Sequence, residues 1–245
     1  MNWLLRLPMD LTSQLMKSTK WKINSMQPSS FLCSWSGGKD SCFALMQALA
    51  MGYRPAVLLN VLNEEGQISR SHGIPSAILA AQAAALDLPI RMISSSWNEY
   101  EMHFTRALQE LKAEYGISYA VFGDIDLQPH RDWEEKVCSA AGLEAVLPIW
   151  QQNRKALVLR MLASGIETMI VSCNEIMGET FVGRVLDADL VDELESLGID
   201  ACGENGEFHT LVLNCPLFSR RIAVQKTRTL HHGNYWFSEL VLTEK

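Results

Sequence analysis

From Ser30 to Val146 short apolar runs alternate with longer stretches whose apolar residues recur at helical spacing. Phe31–Ser34, Ala56–Leu62, Ile90–Ile93, Tyr119–Phe122 and Glu144–Val146 read as strands, each too short and too continuous in apolar character for a helix. Between them, Asp40–Met51, Pro75–Leu86, Trp97–Tyr115 and Asp132–Ala141 read as helices, with Pro75 at a first helical position and Asp132 and Glu135 placed as a capping box. Strands that alternate with helices in this way form βαβ units, so the fold class is α/β with a doubly wound parallel sheet, of expected order 3-2-1-4-5. After Pro148 the texture changes. A helix after Asn153, a strand at Thr168–Cys173, a helix at Ala188–Leu197 and three further strands (Leu211–Leu213, Arg221–Lys226, Tyr235–Leu242, the last two around a turn at His231–Asn234) predict a smaller C-terminal α+β domain. The expected organisation is a leader at 1–29, a nucleotide-binding domain at 30–150 and a substrate-binding domain at 151–245.

Ligands of open parallel sheets bind beyond the carboxyl ends of the strands, where strand order reverses. The segment directly after the first strand is Ser36-Gly37-Gly38-Lys39-Asp40-Ser41. Its two glycines permit a sharp turn and a close approach of backbone to ligand. The helix that follows presents unpaired N–H groups and the positive end of its dipole. Lys39 adds a charge for phosphate oxygens, and Ser36 and Ser41 add hydroxyls. This is not a Walker A loop, because Asp40 follows the lysine where that motif has Ser or Thr. A carboxylate beside a phosphate calls for a divalent cation between them, so Asp40 points to Mg²⁺. The six residues resemble the Ser-Gly-Gly-x-Asp-Ser signature of PP-loop pyrophosphatases, which implies ATP as the ligand and cleavage between its α and β phosphates.

The loop after the fourth strand, Gly123-Asp124 through Asp132, is expected to face the same crevice, with Gly123 either allowing a nucleotide base close to the backbone or making a plain turn. His72, in the loop after the second strand, is a third contact of the crevice or an ordinary surface histidine. Arg131 is placed either to clamp a phosphate or carboxylate or to pair locally with Asp132 or Glu135. Gly203-Glu204-Asn205-Gly206-Glu207-Phe208-His209-Thr210 concentrates proton-transfer groups on a flexible loop, read as functional if it faces a cleft and as a solvated acidic turn if not. Gly183-Arg184 is a further substrate contact or a helix start.

Composition narrows the partners. The 245 residues are 48% apolar and 20% charged, the profile of a globular protein with a full core, and the net charge of −7 argues against a broad nucleic-acid or membrane surface. Six cysteines without a Cys-x-x-Cys pair read as reduced thiols of a cytoplasmic protein. No apolar stretch has the length of a membrane span. In the leader, Trp3-Leu4-Leu5 is interrupted by Arg6, Pro8 and Asp10, unlike a signal peptide, and Met26 is an alternative start.

Taken together, Ser36–Ser41, Gly123 through Trp133 to Cys138, Leu147-Pro148-Ile149-Trp150, Gly183-Arg184, and Gly203–Thr210 with Pro216-Leu217-Phe218 resemble the diphthine–ammonia ligase family of PP-loop ATPases. The resemblance implies a Rossmann-like, HUP-type domain with a C-terminal domain whose acidic loop faces the nucleotide. It implies ATP-dependent, AMP-forming amidation of a small-molecule carboxylate with free ammonium. Ser36, Gly37, Gly38, Lys39, Asp40, Ser41, Gly123 and Asp124 would bind ATP, with Mg²⁺ on Asp40. His72, Arg131, Arg184, Glu204, Asn205 and Glu207 would hold substrate, and Lys39, Asp40, Glu204, Glu207 and His209 would serve catalysis. Nucleic acid and membrane are not expected partners, and a homodimer is left open. The chain departs from the family's Ser-x-Tyr-Gln pattern at Asp126-Leu127-Gln128-Pro129-His130 and from its C-terminal loop at Asn205, Phe208 and His209, which implies a bacterial branch with a different acceptor. Two alternatives stand beside it: a tRNA-modifying PP-loop adenylating enzyme, disfavoured by the missing cysteine pairs and the acidic balance, and a nucleotide-binding sensor without turnover, disfavoured by the Gly203–Thr210 loop.

Overall fold

A computed structural model describes residues 29–243; the leader expectation, Ser29 apart, lies outside the described residues. Five strands, β1 (Ser30–Ser34), β2 (Arg54–Leu62), β3 (Ile90–Ser94), β4 (Tyr119–Val121) and β5 (Glu144–Val146), form a sheet of order β3-β2-β1-β4-β5 whose neighbours all pair in parallel. The order reverses between β1 and β4, so the loops after these two strands open side by side. Helices α1 (Lys39–Ala50) and α2 (Ser76–Leu86) cover one face, and α3 (Tyr100–Tyr115) and α4 (Gln128–Ala141) the other. Central β1 is therefore shielded on both sides: Phe31 and Cys33 join the first apolar cluster and Leu32 the second, all fully buried.

The remaining chain forms α5 (Arg154–Ala163), β6 (Glu167–Asn174), α6 (Ala188–Ser196), β7 (Phe208–Asn214), β8 (Val224–His232) and β9 (Tyr235–Leu242). Its four strands make an antiparallel sheet of order β7-β6-β9-β8. The two sheets share one apolar cluster, running from Cys42 and Leu79 to Val171 and Leu211. They are also stitched by hydrogen bonds: Val212 N–H donates to the Gly37 carbonyl at 2.9 Å, and buried Gln82 donates to the carbonyls of both Gly37 and Val212. The second sheet thus packs directly beneath the glycine turn.

Several element ends differ from expectation. Helix α4 starts at Gln128, four residues before the expected capping box, because Pro129 fits the first turn; Asp132 lies inside the helix and accepts from Gln128 at 2.6 Å. Pro75 is the N-cap, extended at ψ 138°, not the first helical residue. Strand β8 begins three residues later than expected and runs through His231 and His232, leaving the turn to Gly233 and Asn234. Asp187 caps α6 by accepting from Leu190 N–H at 2.8 Å. All six cysteines are free and buried. No helix among the described residues is long and apolar enough to cross a membrane.

Candidate active site

The turn after β1 is built around two glycines with different duties. Gly37 has φ +84°, and a Cβ there would lie 2.8 Å from Gln82 Oε1. Gly38 is extended, but a Cβ would meet His72 Nε2 at 2.9 Å and the Thr210 carbonyl at 3.1 Å. Ser36 Oγ accepts from Gly38 N–H at 3.2 Å, and Ser41 Oγ donates to the Gly38 carbonyl at 3.1 Å. Helix α1 has no side-chain N-cap; Lys39 N–H donates to Thr210 Oγ1 at 3.1 Å, and the dipole points into the space beyond. Gly123 lines the cleft and also packs tightly on its neighbour. A Cβ there would lie 2.7 Å from both Asp40 C and Ser41 N, so the glycine lets the loop after β4 close onto the start of α1.

Beyond this turn lies a cleft of about 880 Å³, lined from one sheet by Ser36, Lys39, Asp40 and Asp124 and from the other by Glu204 and His209. Lys39 is 2% exposed; its ammonium donates to Asp40 at 2.9 Å and to the Cys202 carbonyl at 2.5 Å, and sits 5.3 Å from the Phe208 ring centroid. Burial alone would lower the Lys39 pKa, but the charge of Asp40 and its neighbours outweighs this and raises it, so Lys39 keeps its proton. Burial raises Asp40, offset in part by Lys39.

Arg154, the first residue of α5, ties the loop after β4 to the loop before β7. It donates to both oxygens of Asp126 (2.8 and 2.6 Å) and to Asp200 at 2.6 Å. Asp200 accepts from Glu204 N–H at 3.0 Å and from Cys202 N–H at 3.1 Å, which fixes the acidic loop over the cradle. Burial first, then the charges of Asp40 and Asp124, push Glu204 up to about 8. A carboxyl raised in the folded state contributes stability that is fully present below its unfolded value, about 4.3, and is lost as pH rises through the folded value. Glu204→Gln is therefore expected to stabilise the ligand-free protein more at pH 9 than at pH 5, by urea unfolding; an equal effect at both pH values would contradict this burial.

The other expected residues divide. His72 and His209 stack with ring centroids 4.6 Å apart on the cleft wall, and Asn205 lines it too. Burial holds His72 well below its ordinary value and His209 at about 4, so both are neutral at pH 7. Glu207 is turned away from the cleft and accepts from Asn205 N–H and Nδ2, each at 3.0 Å, closing the turn. Arg131 lies outside the cleft lining, paired with Glu135 at 2.7 Å and 5.2 Å over Trp150: of its two readings, the local ion pair is the one formed. Arg184 is likewise outside, bound to Glu193 at 2.9 and 2.5 Å.

Other residues of the cleft carry no role in the sequence reading. His130 and Glu134 stand four apart on one face of α4, a spacing that would have flagged them had the helix been started at Gln128. His130 Nδ1 is 2.7 Å from Asp124 Oδ1. An aromatic wall also lines it: Trp97 stacks on Tyr100 at 5.6 Å, and Tyr100 meets Trp133 at 5.6 Å.

Asp40 Oδ1 is buried and has no hydrogen-bond partner. No group of three or more His, Cys, Asp or Glu among the described residues is arranged to hold a metal. A lone unpartnered carboxylate oxygen beside a phosphate cradle fits Mg²⁺, which binds through one or two carboxylates plus substrate phosphates.

Comparison with known proteins agrees with this arrangement. The diphthamide synthase N-terminal domain matches residues 30–145 and the diphthamide synthase C-terminal domain residues 154–242. The diphthine–ammonia ligase of Mus musculus is 29% identical over 225 residues, 81% of this chain and 84% of that protein. That of Homo sapiens is 28% identical over 223 residues with the same coverage, and that of Schizosaccharomyces pombe 28% over 222 residues, which is 81% of this chain but 36% of that protein. A crystal structure from Methanocaldococcus jannaschii, described as a predicted subunit of tRNA methyltransferase, aligns with TM-score 0.40 and 19% identity over 76% of this chain and 97% of that one. With both domains present in order around a shared cleft, the chain belongs to the diphthine–ammonia ligase (diphthamide synthase) family.

Proposed function

We propose that the protein is an ATP-dependent, AMP-forming C–N ligase. A substrate carboxylate attacks the α-phosphorus of ATP, pyrophosphate departs, and ammonia displaces AMP from the acyl-adenylate. The observation that carries this reading is the Lys39–Asp40 pair at the start of α1, facing an acidic loop from the second sheet across one cleft. Pyrophosphate leaves with concentrated negative charge, and the Lys39 ammonium and the helix dipole are fixed where that charge develops. Asp40 would hold Mg²⁺, which neutralises phosphate charge when bound. The second sheet walls one side of the cleft, which limits water that would hydrolyse an adenylate. The relatives named diphthine–ammonia ligase support ATP-driven amidation. We assign this chain a different carboxylate acceptor, because residues that depart from the family pattern (Pro129, His130, Asn205, His209) line the cleft.

The test is release of AMP and pyrophosphate from ATP, Mg²⁺ and ammonium, across a panel of small carboxylates and bulk tRNA. Carboxylate-dependent AMP is expected. ADP as product would overturn the reading, and AMP release stimulated by tRNA but by no carboxylate would replace it with base modification.

A further inference from the structure

Ammonia must lose a proton as it becomes an amide nitrogen, and few groups in the cleft suit that task at neutral pH. His72 and His209 are weakened as bases by burial, and Glu204, raised to about 8, still carries its proton. Lys39 is a cation already engaged by Asp40.

His130 is different. Its side chain is 58% exposed in the cleft, on the first turn of α4. Nδ1 is taken by Asp124 at 2.7 Å, which fixes the tautomer with hydrogen on Nδ1 and leaves Nε2 as the basic nitrogen. Asp124 faces in turn the carboxyl group of Glu134, which is 3% exposed and whose Oε2 has no partner of its own. Two carboxylates in contact in a buried place share one proton. Burial, then the Asp124 contact, pushes Glu134 up to about 11; burial also raises Asp124, but the contacts with His130 and Glu134 together outweigh it and lower that carboxyl. Glu134 is thus the neutral acid and donates to an ionised Asp124. The charged groups facing the imidazole are Asp124 from the loop after β4 and Glu204 from the loop before β7; the Asp124 hydrogen bond, ahead of its charge and that of Glu204, raises the His130 pKa.

We propose that His130 is the general base of the nitrogen-transfer step, with Asp124 and Glu134 as its positioning residues. The proposal rests on the ligase reading above. The ammonia lone pair forms the N–C bond at the acyl carbon. The C–O bond to the phosphate breaks, its electron pair leaving with AMP, and one N–H proton passes to His130 Nε2. A nucleophile that arrives as ammonium gives up its first proton to solvent beforehand.

Two reactions of the full-length protein separate this role from a structural one. Carboxylate-dependent exchange of pyrophosphate into ATP reports adenylation without nitrogen, and ammonium-dependent AMP release reports the whole sequence. His130→Gln is expected to lower AMP release roughly 10²- to 10³-fold, the usual range for losing a general base, and to lower exchange, which reports acceptor binding and adenylation, far less. At constant free ammonia, the wild-type rate falls as pH drops through the His130 pKa, and His130→Gln removes that acid limb. Asp124→Asn takes away the charge that favours the imidazolium, so the limb and the His130 ring titration seen by NMR move to lower pH; Glu134→Gln, which still donates, leaves both in place. Equal losses of exchange and AMP release in His130→Gln, an unchanged AMP rate, or a His130 ring that titrates below an ordinary histidine would each overturn the base assignment. A wild-type protein that forms no AMP with any carboxylate would overturn the ligase reading, and the base role with it.

Discussion

Lys39→Ala is expected to abolish AMP formation and to cost about 3–5 kcal/mol of stability, the range for removing one partner of a buried ion pair. The side chain is 2% exposed and binds both Asp40 and the Cys202 carbonyl, so its loss strands a buried carboxylate and a backbone acceptor together. The cost depends on pH with a definite sign. Burial already raises Asp40, and without the ammonium it rises further, so the penalty is least at acid pH, where Asp40 takes up a proton in folded and unfolded states alike. It grows as pH climbs past the raised value that Asp40 holds beside Lys39, and levels off beyond the still higher value that Asp40 takes without it. Urea unfolding at pH 5 and pH 8 measures the difference, and a variant equally stable at both would contradict it. The double variant Lys39→Met with Asp40→Asn removes both charges and should regain most of the stability while remaining inactive. Stability without activity separates the chemical role of the pair from its structural one.

Gly123→Ala is expected to damage both stability and ATP binding. The new Cβ would lie 2.7 Å from Asp40 C and Ser41 N, both backbone atoms in the first turn of α1, and no rotamer change can relieve that contact. The loop after β4 must then back away from the cradle, carrying Asp124 with it. Overpacking of this kind costs typically about 1–3 kcal/mol. Misplacing a binding group by about 1 Å can cost on the order of 10²-fold in rate. Gly52→Ala is the control: no atom lies within 4 Å, only the positive φ of +91° is strained, and it lies far from the cleft, at the end of α1. Comparable ATP affinity, by calorimetry, in Gly123→Ala and the wild type would show that the loop yields without moving the site.

The alternation of apolar runs and helical stretches was sufficient for the parallel sheet and its order, because each buried strand needs helices on both faces and short right-handed crossovers permit few arrangements. The glycine turn at the start of α1 was legible for a similar reason: its geometry resides in consecutive residues and in the helix they start. Helix α4 shows where local reading fails. The capping box at Asp132 and Glu135 and the first-turn Pro129 competed as start signals, and the proline prevailed. That four-residue difference hid the pairing of His130 with Glu134 on one face. Arg131, Arg184 and Glu207 carried suitable chemistry, yet each has a partner within nine positions along the chain, and those short-range bonds turn them from the cleft.

By itself the sequence determined what can be stated locally: a glycine turn with a lysine and an aspartate at a helix start, on a doubly wound sheet, with an acidic loop elsewhere in the chain. Only the tertiary structure decided that Cys202 and Thr210 close on Lys39 from about 160–170 positions away, and that His130 bonds to Asp124 with buried Glu134 beside it. The physical reason is that proton affinity and charge stabilisation depend on burial and neighbours, and in a folded chain these are set by contacts that residue order does not display.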